Sequence, residues 1–149
     1  MRKVVRNGVF ETNSSSVHTL SISKDGMEES YLPVDSEGYI LTDFGSFGKD
    51  LQYYTTQEEK LSYLITCCYY LGGWDTHMDN CYVFRKIEKA ICEYAGAKGI
   101  KILGENEPEI DHQSQPNSGW DLNVVNGYNG DEVVNFVFNK FAFLKTDCD

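Results

Sequence analysis

Residues 11–18, Glu-Thr-Asn-Ser-Ser-Ser-Val-His, place a carboxylate, an amide, three consecutive serine hydroxyls and one of the chain's three histidines within eight positions. Serine hydroxyls and backbone N–H groups in a tight connection can cradle an oxyanion. A guanidinium such as Arg6, with Arg2 and Lys3 beside it, can hold phosphate, and an imidazole such as His18 titrates near neutral pH as acid or base. The plain alternative is a polar turn in which Asn13, Ser14 and Ser15 satisfy nearby backbone groups and His18 is the outward residue of a strand. A second set, Glu109-Ile-Asp-His-Gln-Ser114, adds Asp111, His112 and Ser114. Neighbouring strand residues point to opposite faces, so His112 is as readily paired across space with Glu11 or His18 as with Asp111. Two imidazoles, or an imidazole and a carboxylate, around a phosphate suffice for metal-free cleavage of RNA, with the 2′-OH of the substrate as nucleophile. The same residues suit a hydrolase in which Ser14, Ser15 or Ser114 attacks with a histidine as base. Spacing does not separate the two chemistries.

Metal chemistry has less to build on. Asp147 and Asp149, joined by Glu11 and Asp111, would give a divalent cation several oxygens if the fold gathered them, but a solvated terminus accounts for the two aspartates. His77 and Cys81 lie four apart, and one such pair does not make a zinc site. No metal or cofactor is expected. The five cysteines include no CxxC pair, so Cys67, Cys68, Cys81 and Cys92 read as buried structural thiols. No apolar signal region follows Met1-Arg-Lys-Val-Val-Arg6, which points to a reducing cytoplasm.

The 149 residues are 41% apolar and 13% aromatic, enough for one globular domain and too apolar for a disordered tail, and no window is long and apolar enough for a membrane span. The net charge of −10 argues against broad adhesion to nucleic acid or to an anionic membrane. Its distribution is uneven. Residues 1–24 hold four Lys and Arg against one Glu, leaving nine against 22 Asp and Glu in residues 25–149. A small basic end thus sits on a strongly acidic body, which serves solubility and is also drawn to basic surfaces. Residues 39–54 are rich in aromatics, including Phe44, Phe47 and Tyr53. Exposed rings can stack on bases, but no basic run is interleaved with these, so most read as core and rim packing.

The elements that must position these groups follow from periodicity. Thr56 followed by Glu59 makes a capping box, and Leu61, Leu64, Ile65, Cys68 and Leu71 recur at helical spacing, which predicts a helix over 56–71. A second helix is predicted over 79–95, with Val83, Phe84, Ile87, Ala90, Ile91 and Tyr94 on one face and Gly96 as its stop. A shorter one is predicted over 131–136 with Asp131 as N-cap. Strands are predicted at 3–6, 17–23, 39–42, 99–103 and 141–145, and residues 105–130 read as a long loop. Strands, then helices, then strands imply an α+β fold: a mainly antiparallel sheet with two longer helices packed on one face.

Residues 5–18, Val-Arg-Asn-Gly-Val-Phe-Glu-Thr-Asn-Ser-Ser-Ser-Val-His, resemble the opening of a family of small proteins of bacteriophages and mobile elements. Asp43-Phe-Gly-Ser-Phe-Gly48, Glu59-Lys-Leu-Ser-Tyr-Leu64, Ile110-Asp-His-Gln-Ser114 and Phe136-Val-Phe-Asn139 resemble further stretches of it, so the likeness spans nearly the whole chain. Lys49 departs from the pattern, which has an aromatic residue there. The resemblance implies an anti-CRISPR inhibitor acting in the host cytoplasm on an RNA-guided nuclease and its guide RNA. On that reading Glu11, Asn13, Ser14, Ser15, His18, His112 and Ser114 form a pocket that cleaves guide RNA, with His18 and His112 as acid and base and Arg6, Arg2 and Lys3 on phosphate. The acidic body would dock where heteroduplex phosphates normally lie. A non-catalytic acidic mimic of nucleic acid and a serine-nucleophile hydrolase are the alternatives.

Overall fold

The computed structural model describes residues 19–20, 24–48, 52–71, 82–110 and 130–146. Helix α1 (Gln57–Leu71) begins with the expected reciprocal cap. Thr56 Oγ1 accepts from the Glu59 N–H at 3.1 Å, and Glu59 Oε1 accepts from the Thr56 N–H at 3.3 Å. The apolar stripe buries Leu61, Leu64, Ile65 and Cys68 completely. Helix α2 (Tyr82–Ala95) buries Phe84, Ile87 and Ile91. It ends at Gly96, whose φ of 75° is cheap only for a residue without Cβ, and the Gly96 and Ala97 N–H groups both donate to the Cys92 carbonyl.

Helix α3 (Gly130–Phe138) is longer than the sequence suggests and starts one residue earlier. Asp131 is therefore in the first turn rather than at the N-cap. There its carboxylate, like that of Glu132, complements the positive end of the helix. Val133, Phe136, Val137 and Phe138 are buried, because α3 packs against both α1 and α2. The short helix is thus the centre of the helical layer.

The fold is α+β, but a single, mainly antiparallel sheet is not what the described residues form. Strand β2 (Tyr39–Thr42) runs parallel to β5 (Gly99–Ile102), and β3 (Ser46–Phe47) parallel to β6 (Glu109–Ile110). Antiparallel strands form a three-stranded sheet in which β7 (Leu144–Thr146) lies between β1 (Thr19–Leu20) and β4 (Gln52–Tyr54), and isolated antiparallel bridges join Met27 to Asn139 and Val34 to Ile40. The cause is connectivity. The chain between β2 and β5 carries both long helices, a crossover ample for parallel pairing, which a short hairpin cannot provide.

Of the predicted strand 17–23 only Thr19 and Leu20 are described, and both pair as strand in β1. Two other boundaries shift. The predicted strand 141–145 begins later, because residues 139–142 turn: the Phe141 N–H donates to Asn139 Oδ1 and the Ala142 N–H to the Asn139 carbonyl. The predicted loop 105–130 contains β6, where Ile110 is buried against the core. The predicted strand 3–6 lies outside the described residues.

The core is one cluster drawing Ile40 from β2, Phe47 from β3, the α1 stripe, Ile87 and Ile91 from α2, and the apolar face of α3. Phe47 meets Tyr54 and Tyr63 edge to face at centroid distances of 5.0 and 5.3 Å. Cys67, Cys68 and Cys92 are buried, as expected of structural cysteines, and burial pushes Cys92 up to about 11 with Glu88 adding to the effect. Cys81 lies outside the described residues. Among the described residues no helix is long and apolar enough to cross a membrane.

Candidate functional site

The residues that the sequence singles out for chemistry are not among those the structure describes. Arg2, Lys3, Arg6, Glu11, Asn13, Ser14, Ser15 and His18 precede β1, and His112 and Ser114 follow β6, all outside the described residues. The same holds for Asp111, His77, Asp147 and Asp149. Among the described residues no group of three His, Cys, Asp or Glu could hold a metal ion.

What the described residues do bring together is a cavity of about 350 Å³ at the N-terminal end of α1. Its walls include Glu28, Tyr31, Thr56, Glu58, Lys60 and Lys140. Lys60 is the notable member, being 1% exposed. Its Nζ donates to the carbonyls of Asn139 at 2.9 Å and Ala142 at 2.8 Å, closing the turn that follows α3. The turn carbonyls need a donor and the helix end favours a cation, so an ammonium here serves two purposes. Burial drives the Lys60 amine down to about 8, with the Glu28 carboxylate opposing the shift.

Two of the three ammonium N–H groups are taken by these carbonyls. The lining carries two ammonium groups against two carboxylates. That balance suits a small polar ligand better than a polyphosphate. Sequence reasoning missed Lys60, although a signal existed: it falls four residues before Leu64 and eight before Cys68, on the apolar stripe itself. A lysine on such a stripe must either reach solvent or find buried acceptors.

The anion cradle expected at residues 11–18 has a counterpart elsewhere. Consecutive backbone N–H groups of Gly104, Glu105 and Asn106 converge on the Asp43 carboxylate at 2.9, 2.9 and 3.1 Å. The Phe44 N–H and Asn106 Nδ2 add two more donors. The chain fills this nest with its own side chain, so the nest joins the β2 end to the loop between β5 and β6. Asp43→Ala is expected to lower the unfolding free energy by about 2 kcal/mol in a urea titration. Asp43→Asn, which keeps an acceptor, should lose less.

The chain matches no family model, no curated protein and no solved structure.

Proposed function

We propose that the chain is an inhibitor of host defence carried by a bacteriophage or mobile element, which docks by its acidic body on the basic nucleic-acid channel of an RNA-guided nuclease in the host cytoplasm. The observation that carries this reading is the 22 Asp and Glu against nine Lys and Arg in residues 25–149. Glu29, Glu58, Glu105, Glu107, Asp131 and Glu132 face solvent on or beside ordered elements, which supports docking by charge. Bound there, residues 11–18 and 112–114 would face the guide RNA, with Glu11, Asn13, Ser14, Ser15, His18, His112 and Ser114 as the cleaving pocket and Arg6, Arg2 and Lys3 holding phosphate. An acidic protein is repelled by free RNA, so cleavage is expected only within the complex.

The exposed carboxylates also favour a second reading, in which the body mimics nucleic acid and no RNA is cut. One experiment tests both. The protein is incubated with guide-loaded nuclease, with and without chelator, and the recovered guide is run on a denaturing gel beside free RNA treated alike. A guide shortened only in the complex, chelator present or not, is the expected result. An intact guide with blocked target cleavage would replace the catalytic reading by mimicry, and undiminished target cleavage would overturn both.

A further inference from the structure

The solvent face of the β1–β7–β4 sheet carries an arrangement that neither the acidic body nor the polar segments explain. Leu144 and Tyr54 face the core, at 0% and 8% exposure, so the next residues along each strand face outward. Register places Tyr53 of β4 opposite Lys145 of β7. Tyr53 is 57% exposed, and its ring lies 6.1 Å from that of Phe143, two residues before Lys145 and on the same side of the strand. The Lys145 ammonium sits 6.0 Å from the Tyr53 ring centre. Immediately upstream, Lys140 lies 5.3 Å from the exposed ring of Phe141. Two phenylalanines and two lysines therefore occupy residues 140–145, and neither lysine is in an ion pair among the described residues.

We propose that Tyr53, Phe143 and Lys145 form a stacking platform for single-stranded nucleic acid. A buried aromatic pair would stabilise the sheet, but a ring left more than half in water beside a cation with no carboxylate partner among the described residues offers a face for a base and a charge for its phosphate. Carboxylates surround other lysines of the molecule: Lys101 is held by Asp35 and Glu37, and Lys89 by Glu93. Lys145 has no carboxylate partner among the described residues, whereas Lys140 shares the cavity at the α1 end with Glu28 and Glu58. Strands this short seat one or two bases, and the net charge of −10 opposes a long strand, so binding is weak and strongest at low salt. The inference deepens the guide-RNA reading by naming unpaired bases as the ligand. It is tested without any nuclease, so that its failure and the failure of that reading are distinguishable.

The test is fluorescence anisotropy of a labelled 12-nucleotide oligocytidylate RNA titrated with the full chain in low salt. Saturable binding is expected, weakened about fivefold to a hundredfold by Tyr53→Ala and retained by Tyr53→Phe, which keeps the ring and removes the hydroxyl. Lys145→Gln should reduce the salt dependence by a slope of about 0.7. If Tyr53→Ala loses its circular dichroism signal, Lys145→Gln and a Phe143→Leu variant carry the test in its place. Absence of saturable binding by the wild-type chain would overturn the proposal. So would variants that stay folded and bind as the wild type does, or a face that takes up a protein partner and no oligonucleotide.

Discussion

Lys60→Ala is expected to lower the unfolding free energy by about 3 kcal/mol at pH 7, measured by urea titration. The buried Ala142 carbonyl loses this donor and the Asn139 carbonyl keeps only the Ala142 N–H, and an unsatisfied buried acceptor costs about 1–3 kcal/mol. The void left by the aliphatic stem adds to the loss, while removing a desolvated ammonium offsets part of it. Lys60→Met, which refills the stem, should cost roughly half as much.

The pH dependence gives a sharper reading. The Lys60 amine titrates near 8 in the folded chain against an ordinary value of 10.5. Between these values the unfolded chain holds a proton that the folded chain has released, so stability from this group rises with pH. Between pH 7 and 9.5 the gain is about 2 kcal/mol relative to Lys60→Met, which cancels the titration of other groups. Parallel curves for the two proteins would mean that the ammonium is not desolvated.

Phe136→Ala is expected to cost about 4 kcal/mol, a large part of the 5–15 kcal/mol that holds an ordinary domain folded. Phe136 is fully buried on the helix that joins α1 to α2, so its removal opens a void where three helices meet. Its ring centre also lies 5.9 Å from the Lys60 ammonium. Truncating it therefore removes the face on which that charge rests. Because the two side chains touch one environment, the double variant should lose less than the two single losses added together. Exact additivity in thermal or chemical unfolding would show that the ring and the ammonium act independently.

Helices were legible because each carries its own instructions. The Thr56 and Glu59 cap, the stripes at Leu61, Leu64, Ile65 and Cys68 of α1 and at Phe84, Ile87 and Ile91 of α2, and the Gly96 stop are local features realised where the sequence placed them, while Tyr94 at the end of the α2 stripe is exposed. Short strands carry no comparable signal. Ser46–Phe47, Gln52–Tyr54 and Glu109–Ile110 are two or three residues long, below the length at which alternation can be read, and each exists because a distant partner supplies its ladder. The charge–ring pairing at Tyr53 was hidden for the same reason. No cation lies beside Tyr53 in sequence, and Lys145 reaches it only through the β4–β7 register. Lys60 was readable in principle, since its place on the stripe is local, but its acceptors at 139 and 142 are not.

The position of β7 has a consequence for biosynthesis. It is the middle strand of its sheet, yet it is made after both neighbours: Lys145 pairs with Thr19, 126 residues earlier, and with Tyr53. At roughly 5–20 residues per second, a ribosome needs on the order of ten seconds to travel from β4 to β7. Throughout that interval β1 and β4 wait without the strand that joins them, while the capped α1 helix is free to form early. The nascent chain is thus most open to sticking and proteolysis along this sheet, and a stop codon placed before residue 144 would remove the strand on which the other two depend.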